Sequence, residues 1–163
     1  MSDKLTQIIE LVEEYGLDQV RYFLLREVPF GNDGDFSPTA MISRVNSDLS
    51  NDYGNLVQRT ISMIYKNCDQ KIPVPDKFTD QDSDMIATAD TLLDYCREKM
   101  NVMAFNQILE EIWRVVRKAN AYVDLQAPWS LKKTHPDCVK RDQYSGYGMI
   151  MYDKIDVDFV EVE

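Results

Sequence analysis

Between Ser37 and Asn67 the apolar residues Met41, Val45, Leu49, Leu56 and Met63 recur at steps of four and seven. At about 100° per residue these steps make one apolar stripe, so the stretch predicts a single long helix with that face turned to a partner. Ser37 followed by Pro38 is its start signal: a side-chain acceptor for free amides, then a residue whose fixed φ suits the first helical position. Asn55, Arg59, Ser62 and Lys66, spaced four, three and four apart, stack along one edge of the stripe. Most such flanks are solvated and do nothing specific; this one is also the first place where chemistry could sit. Gly54, in mid-helix, costs about 1 kcal/mol against Ala and is expected to mark a close contact with another helix.

The same periodicity lays out the other elements. Ile8, Ile9, Leu11 and Val12 predict a short first helix ending at Tyr15-Gly16, where Gly takes a left-handed cap. A second helix is expected from Asp18 to Val28, with Asp18 as cap, Val20, Phe23, Leu24 and Val28 as apolar face, and Pro29 as stop. Phe30 to Asp35 is rich in turn formers; its Asp-Gly-Asp lacks the ligand alternation and distant Glu of a calcium loop. Pro73 and Pro75 predict an extended link. Met85, Ala89, Leu92, Leu93, Cys96 and Met100 then mark a helix over 82–100. Phe105, Ile108, Leu109, Ile112, Val115 and Val116 mark another that ends near Asp124, with Trp113 in or beside the core. Trp129 follows Pro128 in a segment with no stripe to join. It either plugs the end of the bundle, the reading the pattern favours slightly, or presents a ring for stacking, which is worth about 1–3 kcal/mol per nucleobase.

The period changes at the end. Ile155, Val157 and Phe159 alternate with Asp156 and Asp158, a strand-like period of two. The fold read from the pattern is therefore all-α, an antiparallel helical bundle over 1–141, followed by an acidic tail over 142–163 that is a short β-hairpin or disordered. A charged edge strand that discourages aggregation is the ordinary reading of such a tail; a segment foreign to the bundle is the other.

Composition narrows the function. The 163 residues, 44% hydrophobic and 28% charged, suit one globular domain. A net charge of −10 excludes binding of nucleic acid through a general basic surface, so any such contact must be local. From Asp142 onward six acids face one base, leaving −5, half of the total. Cys68, Cys96 and Cys138 form neither a zinc cluster nor a disulfide framework. His135, the only histidine, has no partner for general-base work, and no catalytic residue or metal ligand is assigned. No signal peptide or membrane span is visible, and a cytoplasmic protein is expected.

Three stretches in register, YGLDQVRYFLLREVPFGNDGDFS, NDYGNLVQR and NAYVDLQAPW, closely resemble the C-terminal portion of the methionyl-tRNA synthetases, class I aminoacyl-tRNA synthetases. The resemblance covers roughly Ile9 to Lys133. It implies the helical bundle that recognises the CAU anticodon of methionine tRNA. Within it, Asn55 and Arg59 match helix residues that contact anticodon bases, and Pro128 with Trp129 matches the loop whose Trp stacks on one. An amide and a guanidinium one turn apart, beside an aromatic face, suit unstacked bases. Phosphate contacts from Arg117, Lys118, Lys132 or Lys133 would be minor. The implied partners are the tRNA and the family's catalytic domain, whose nucleotide motif is absent here. Met1 to Leu5 resembles only faintly the loop that precedes the family's bundle, and no ATP contact is assigned to it. No cofactor is expected in this chain, since ATP and methionine belong to the catalytic domain. The alternative is a structural or protein-interaction module that kept the bundle and lost tRNA binding. Past the QAPW stretch the sequence departs from the family's closing helices, which predicts exposed apolar surface and self-association.

Overall fold

In the computed structural model, residues 2–32, 36–67, 70–71 and 78–130 are described, and among them every regular element is helical. The elements are α1 (Ser2–Tyr15), α2 (Leu17–Glu27), α3 (Pro38–Arg44), a π-helical segment (Val45–Gly54), α4 (Asn55–Asn67), α5 (Asp80–Asn101) and α6 (Phe105–Gln126). None is long and apolar enough to cross a membrane. Residues 131–163, with the acidic tail and its strand pattern, lie outside the described residues, as do Lys132, Lys133 and His135.

Local chemistry sets most boundaries as expected. Gly16, at φ 91, separates α1 from α2, and its amide bonds back to Val12 O at 2.9 Å. Asp18 does not cap α2; Gly16 holds the cap position without a side-chain bond, and Asp18 sits in the first turn beside Arg21. Ser37 Oγ accepts from the Ala40 amide and Pro38 opens α3. At the start of α5, Thr79 Oγ1 accepts from the Asp82 amide while the Asp82 carboxylate accepts from the Thr79 amide at 2.7 Å, a reciprocal capping box. Val102 to Ala104, with Met103 at φ 53, turn the chain tightly from α5 into α6.

The long helix over 38–67 forms, but its middle third is π-helical. Gly54 belongs to that geometry. A Cβ there would stand 3.1 Å from the carbonyl oxygen of Leu49, so the close approach is to its own helix and not to a neighbouring one.

α6 is the axis. It runs antiparallel to α5, with Lys118, Tyr122 and Gln126 meeting Asp84, Asp82 and Gln81 in turn. It is antiparallel to α2 as well, through Arg26–Glu110 and the Tyr22–Trp113 edge contact. It also meets the π segment and α4, through Tyr53–Trp113, Asn120–Asp52 and Asp124–Arg59. Two apolar clusters fill the spaces. Leu56, Met85, Ala119, Tyr122 and Val123 pack between α4, α5 and α6, and Val20, Phe23 and Met41 between α2 and α3. Met41 and Leu56 of the predicted stripe are fully buried, and Trp113 is core. Leu24, expected inside, is 43% exposed: it lies about 100° round α2 from the buried Phe23.

Polar groups are also buried between α2 and the π segment. Asp48 is 4% exposed and accepts the Tyr22 hydroxyl at 2.5 Å, with Arg26 Nε at 3.7 Å and Arg44 at 4.0 Å. Arg26 also pairs with Glu110, and Arg44 with Glu27. Burial, reinforced by the bond to Asp48, pushes the Tyr22 phenol far above its ordinary value. Burial and the bond to Asp82 do the same to Tyr122.

Candidate functional site

The four residues singled out from the sequence lie on two elements far apart in the chain. Asn55 opens α4 and is exposed; Arg59 follows one turn later on the same side. Pro128 and Trp129 come directly after α6, and the cap of that helix decides where they go. Ala127 takes a left-handed conformation, φ 41 and ψ 53, with its amide on Val123 O at 3.1 Å. The chain then bends so that Pro128 is fully buried while Trp129 remains 44% exposed. Pro128 is therefore the plug, and the expectation that Trp129 plugs the bundle end fails. The proline ring seals the core without adding a buried N–H.

The fold brings Arg59 and Trp129 together. The guanidinium carbon of Arg59 lies 5.2 Å from the centroid of the Trp129 ring, within cation–π range. Arg59 is held from the other side by the carboxylate of Asp124, on the last turn of α6. One turn earlier on α6, Asn120 Nδ2 donates to Asp52 O at 2.9 Å, in the π segment that leads to Asn55. The result is an exposed indole, a planar cation fixed beside it, and an exposed amide one turn away. This is a platform with donors at its rim, suited to a flat heteroaromatic group with polar edges.

The basic residues of α6 are engaged. Arg114 pairs with Glu111 at 2.6 Å, Arg117 with Glu110 at 2.9 Å, and Lys118 with Asp84 at 2.7 Å. Among the described residues no group of His, Cys, Asp or Glu is arranged to hold a metal ion. Sequence reasoning overlooked Asp124 and Asn120. Their signal was available: with Pro128 they fall at steps of four, a polar pair leading to the QAPW stretch on one side of an otherwise amphipathic helix.

Comparison with known proteins bears on this arrangement. Residues 2–61 match the family described as tRNA synthetases class I (M). The chain is 51% identical over 127 residues to the methionine–tRNA ligase of Brucella suis, covering 78% of this chain and 25% of that ligase. It is 47% identical over 129 residues to that of Mycobacterium tuberculosis, covering 79% and 25%. The apo structure of the Mycobacterium tuberculosis methionyl-tRNA synthetase superposes with a TM-score of 0.81 at 43% identity, over 87% of this chain and 28% of that one. Its methionyl-adenylate-bound structure gives 0.79 over 88% and 28%. The chain thus spans about a quarter of the length of the relatives it matches. In sequence and in helical architecture it is a relative of the methionyl-tRNA synthetases, corresponding to about a quarter of such a protein.

Proposed function

We propose that this chain is the tRNA-reading part of a methionine–tRNA ligase and that the Arg59–Trp129 platform takes a base of the CAU anticodon. The single observation that carries the reading is the seating of Arg59 over Trp129, across a wide gap in sequence, on a surface open to solvent. Trp129 supplies the stacking face, Arg59 and Asn55 reach the base edges, and buried Pro128 fixes the approach of the indole. The relatives are named as ligases of methionine and tRNA; activation of methionine with ATP belongs, in this reading, to a catalytic domain that acts with the bundle in the cytoplasm.

The test is binding of a methionine anticodon stem–loop at modest salt, with a changed-anticodon loop as control. Wild type is expected to prefer the CAU loop. Trp129→Ala is expected to lose about 1–3 kcal/mol of binding, the worth of one stacked base, and Arg59→Ala a comparable amount. Because Trp129 is half exposed, its removal should leave the melting temperature nearly unchanged. Equal, weak binding of both loops by all three proteins would refute the reading and favour an interaction module that has lost tRNA binding.

A further inference from the structure

We propose that Asn120 is a positioning residue: its bond to the π segment sets the rotational register of α4 and thereby seats Arg59 on Trp129. In an α-helix each residue turns the chain by about 100°. A hydrogen bond that moves from the i−5 to the i−4 carbonyl therefore rotates everything beyond it by that amount, which would carry Asn55 and Arg59 off the face they share with Trp129. Something must select the wider register, and three contacts do so. Asn120 Nδ2 donates to Asp52 O at 2.9 Å, a second donor to the carbonyl at the end of the π segment that also accepts the Asn55 amide. Gly54 leaves room for Leu49 O, 3.1 Å from where a Cβ would stand. Tyr53, in the same turn, packs edge-on against Trp113 of α6. Asn120 and Asp124 are successive on one side of α6, so a single helix fixes both the register before Arg59 and Arg59 itself. π turns inside α-helices are frequent at functional sites.

The experiment is NMR of the full chain, following the indole N–H of Trp129 and the guanidinium N–H of Arg59, assigned with Trp129→Phe and Arg59→Lys. Asn120→Ala removes the bond, and Gly54→Ala opposes the wide register from the other side. Both are expected to move the Trp129 signal toward its position in Arg59→Ala, and the double variant to move it no further than either alone. Ile108→Val, a mild core change elsewhere on α6, should leave both signals in place. Unmoved Trp129 and Arg59 signals in Asn120→Ala, or equal movement in Ile108→Val, would overturn the proposal; should Asn120→Ala fail to fold, Gly54→Ala decides it by the same readout. The consequence for binding rests on the tRNA-reading role proposed above: Asn120→Ala should bind the CAU stem–loop about tenfold more weakly. If the signals move and wild type binds no loop, the positioning stands and the tRNA reading falls.

Discussion

Asp48 is a charged side chain in the core that the hydrophobic pattern does not announce. In sequence it stands between Val45 and Leu49 of the apolar stripe, where an amphipathic template has no slot for a carboxylate. In the fold it is buried and answered by Tyr22, Arg26 and Arg44. Two buried charges are tolerated only when each is paired; leaving one unanswered is what costs. Arg26, with a side chain only 11% exposed, depends on Asp48 and Glu110 together. Desolvation raises the Glu110 pKa, but the bonds from Arg26 and Arg117 overcome it and hold the carboxyl below its ordinary value. Asp48→Asn keeps the shape and removes the charge. It should cost about 3 kcal/mol, read as a lower urea midpoint at unchanged slope, whereas the exposed pair of Arg21 with Asp18 should be worth less than about 1 kcal/mol when broken. A loss under about 1 kcal/mol for Asp48→Asn would mean that solvent already serves Arg26. Spacing alone marked Asn55 and Arg59 as a polar edge and Trp129 as an aromatic without a stripe; the roles proposed for them and for Pro128 came from the resemblance to a family. Periodicity alone left Trp129 between two fates, since whether a post-helical aromatic turns in or out depends on a left-handed Ala127 that no pattern announces.

Helix existence and ends were legible because they rest on local chemistry: Gly16, the Ser37-Pro38 start and Pro29 each act within a few residues. The π segment was not, because apolar steps of four and seven satisfy a wide helix as readily as an ordinary one, and the register is chosen by contacts with α6. The capping box of α5 was also overlooked, although Thr79 and Asp82 stand at its spacing. Its energetics carry a pH signature. Burial raises the Asp82 pKa, but bonds from Tyr122 and from the amide and hydroxyl of Thr79 outweigh this and lower it from 3.8. A lowered folded value means that the contribution is full above the unfolded carboxylate value and is lost as pH falls through the folded one. Thr79→Ala should therefore cost about 1 kcal/mol near neutrality, and the gap from wild type should narrow in acid. Thermal melts from neutral pH down to about pH 3 check this; a gap that stays constant would show that Asp82 is not the group concerned.

At the scale of the molecule the charge is the first constraint. A protein of net −10 whose α6 cations are already paired with Glu110, Glu111 and Asp84 has little to offer a phosphate backbone. If the tRNA reading holds, the logarithm of stem–loop affinity should fall with the logarithm of salt with a slope no steeper than about −2, the release expected from two or three single-strand phosphates. A slope near −5 would point to basic residues among 131–163 instead. The helical class and the order of elements followed from periodicity, yet the assembly did not, because α6 meets its partners over distances no local pattern encodes. Asp124 finds Arg59 across 65 positions, Asn120 finds Asp52 across 68, and Glu110 finds Arg26 across 84. These separations have a consequence for biosynthesis. At roughly 5–20 residues per second, α2 and the π segment leave the ribosome about 3–17 seconds before the helix that answers them. Until then Arg59 lacks Asp124, Asp52 lacks Asn120, and Arg26 has Asp48 but not Glu110, so the earlier helices must wait for α6 to complete these pairs.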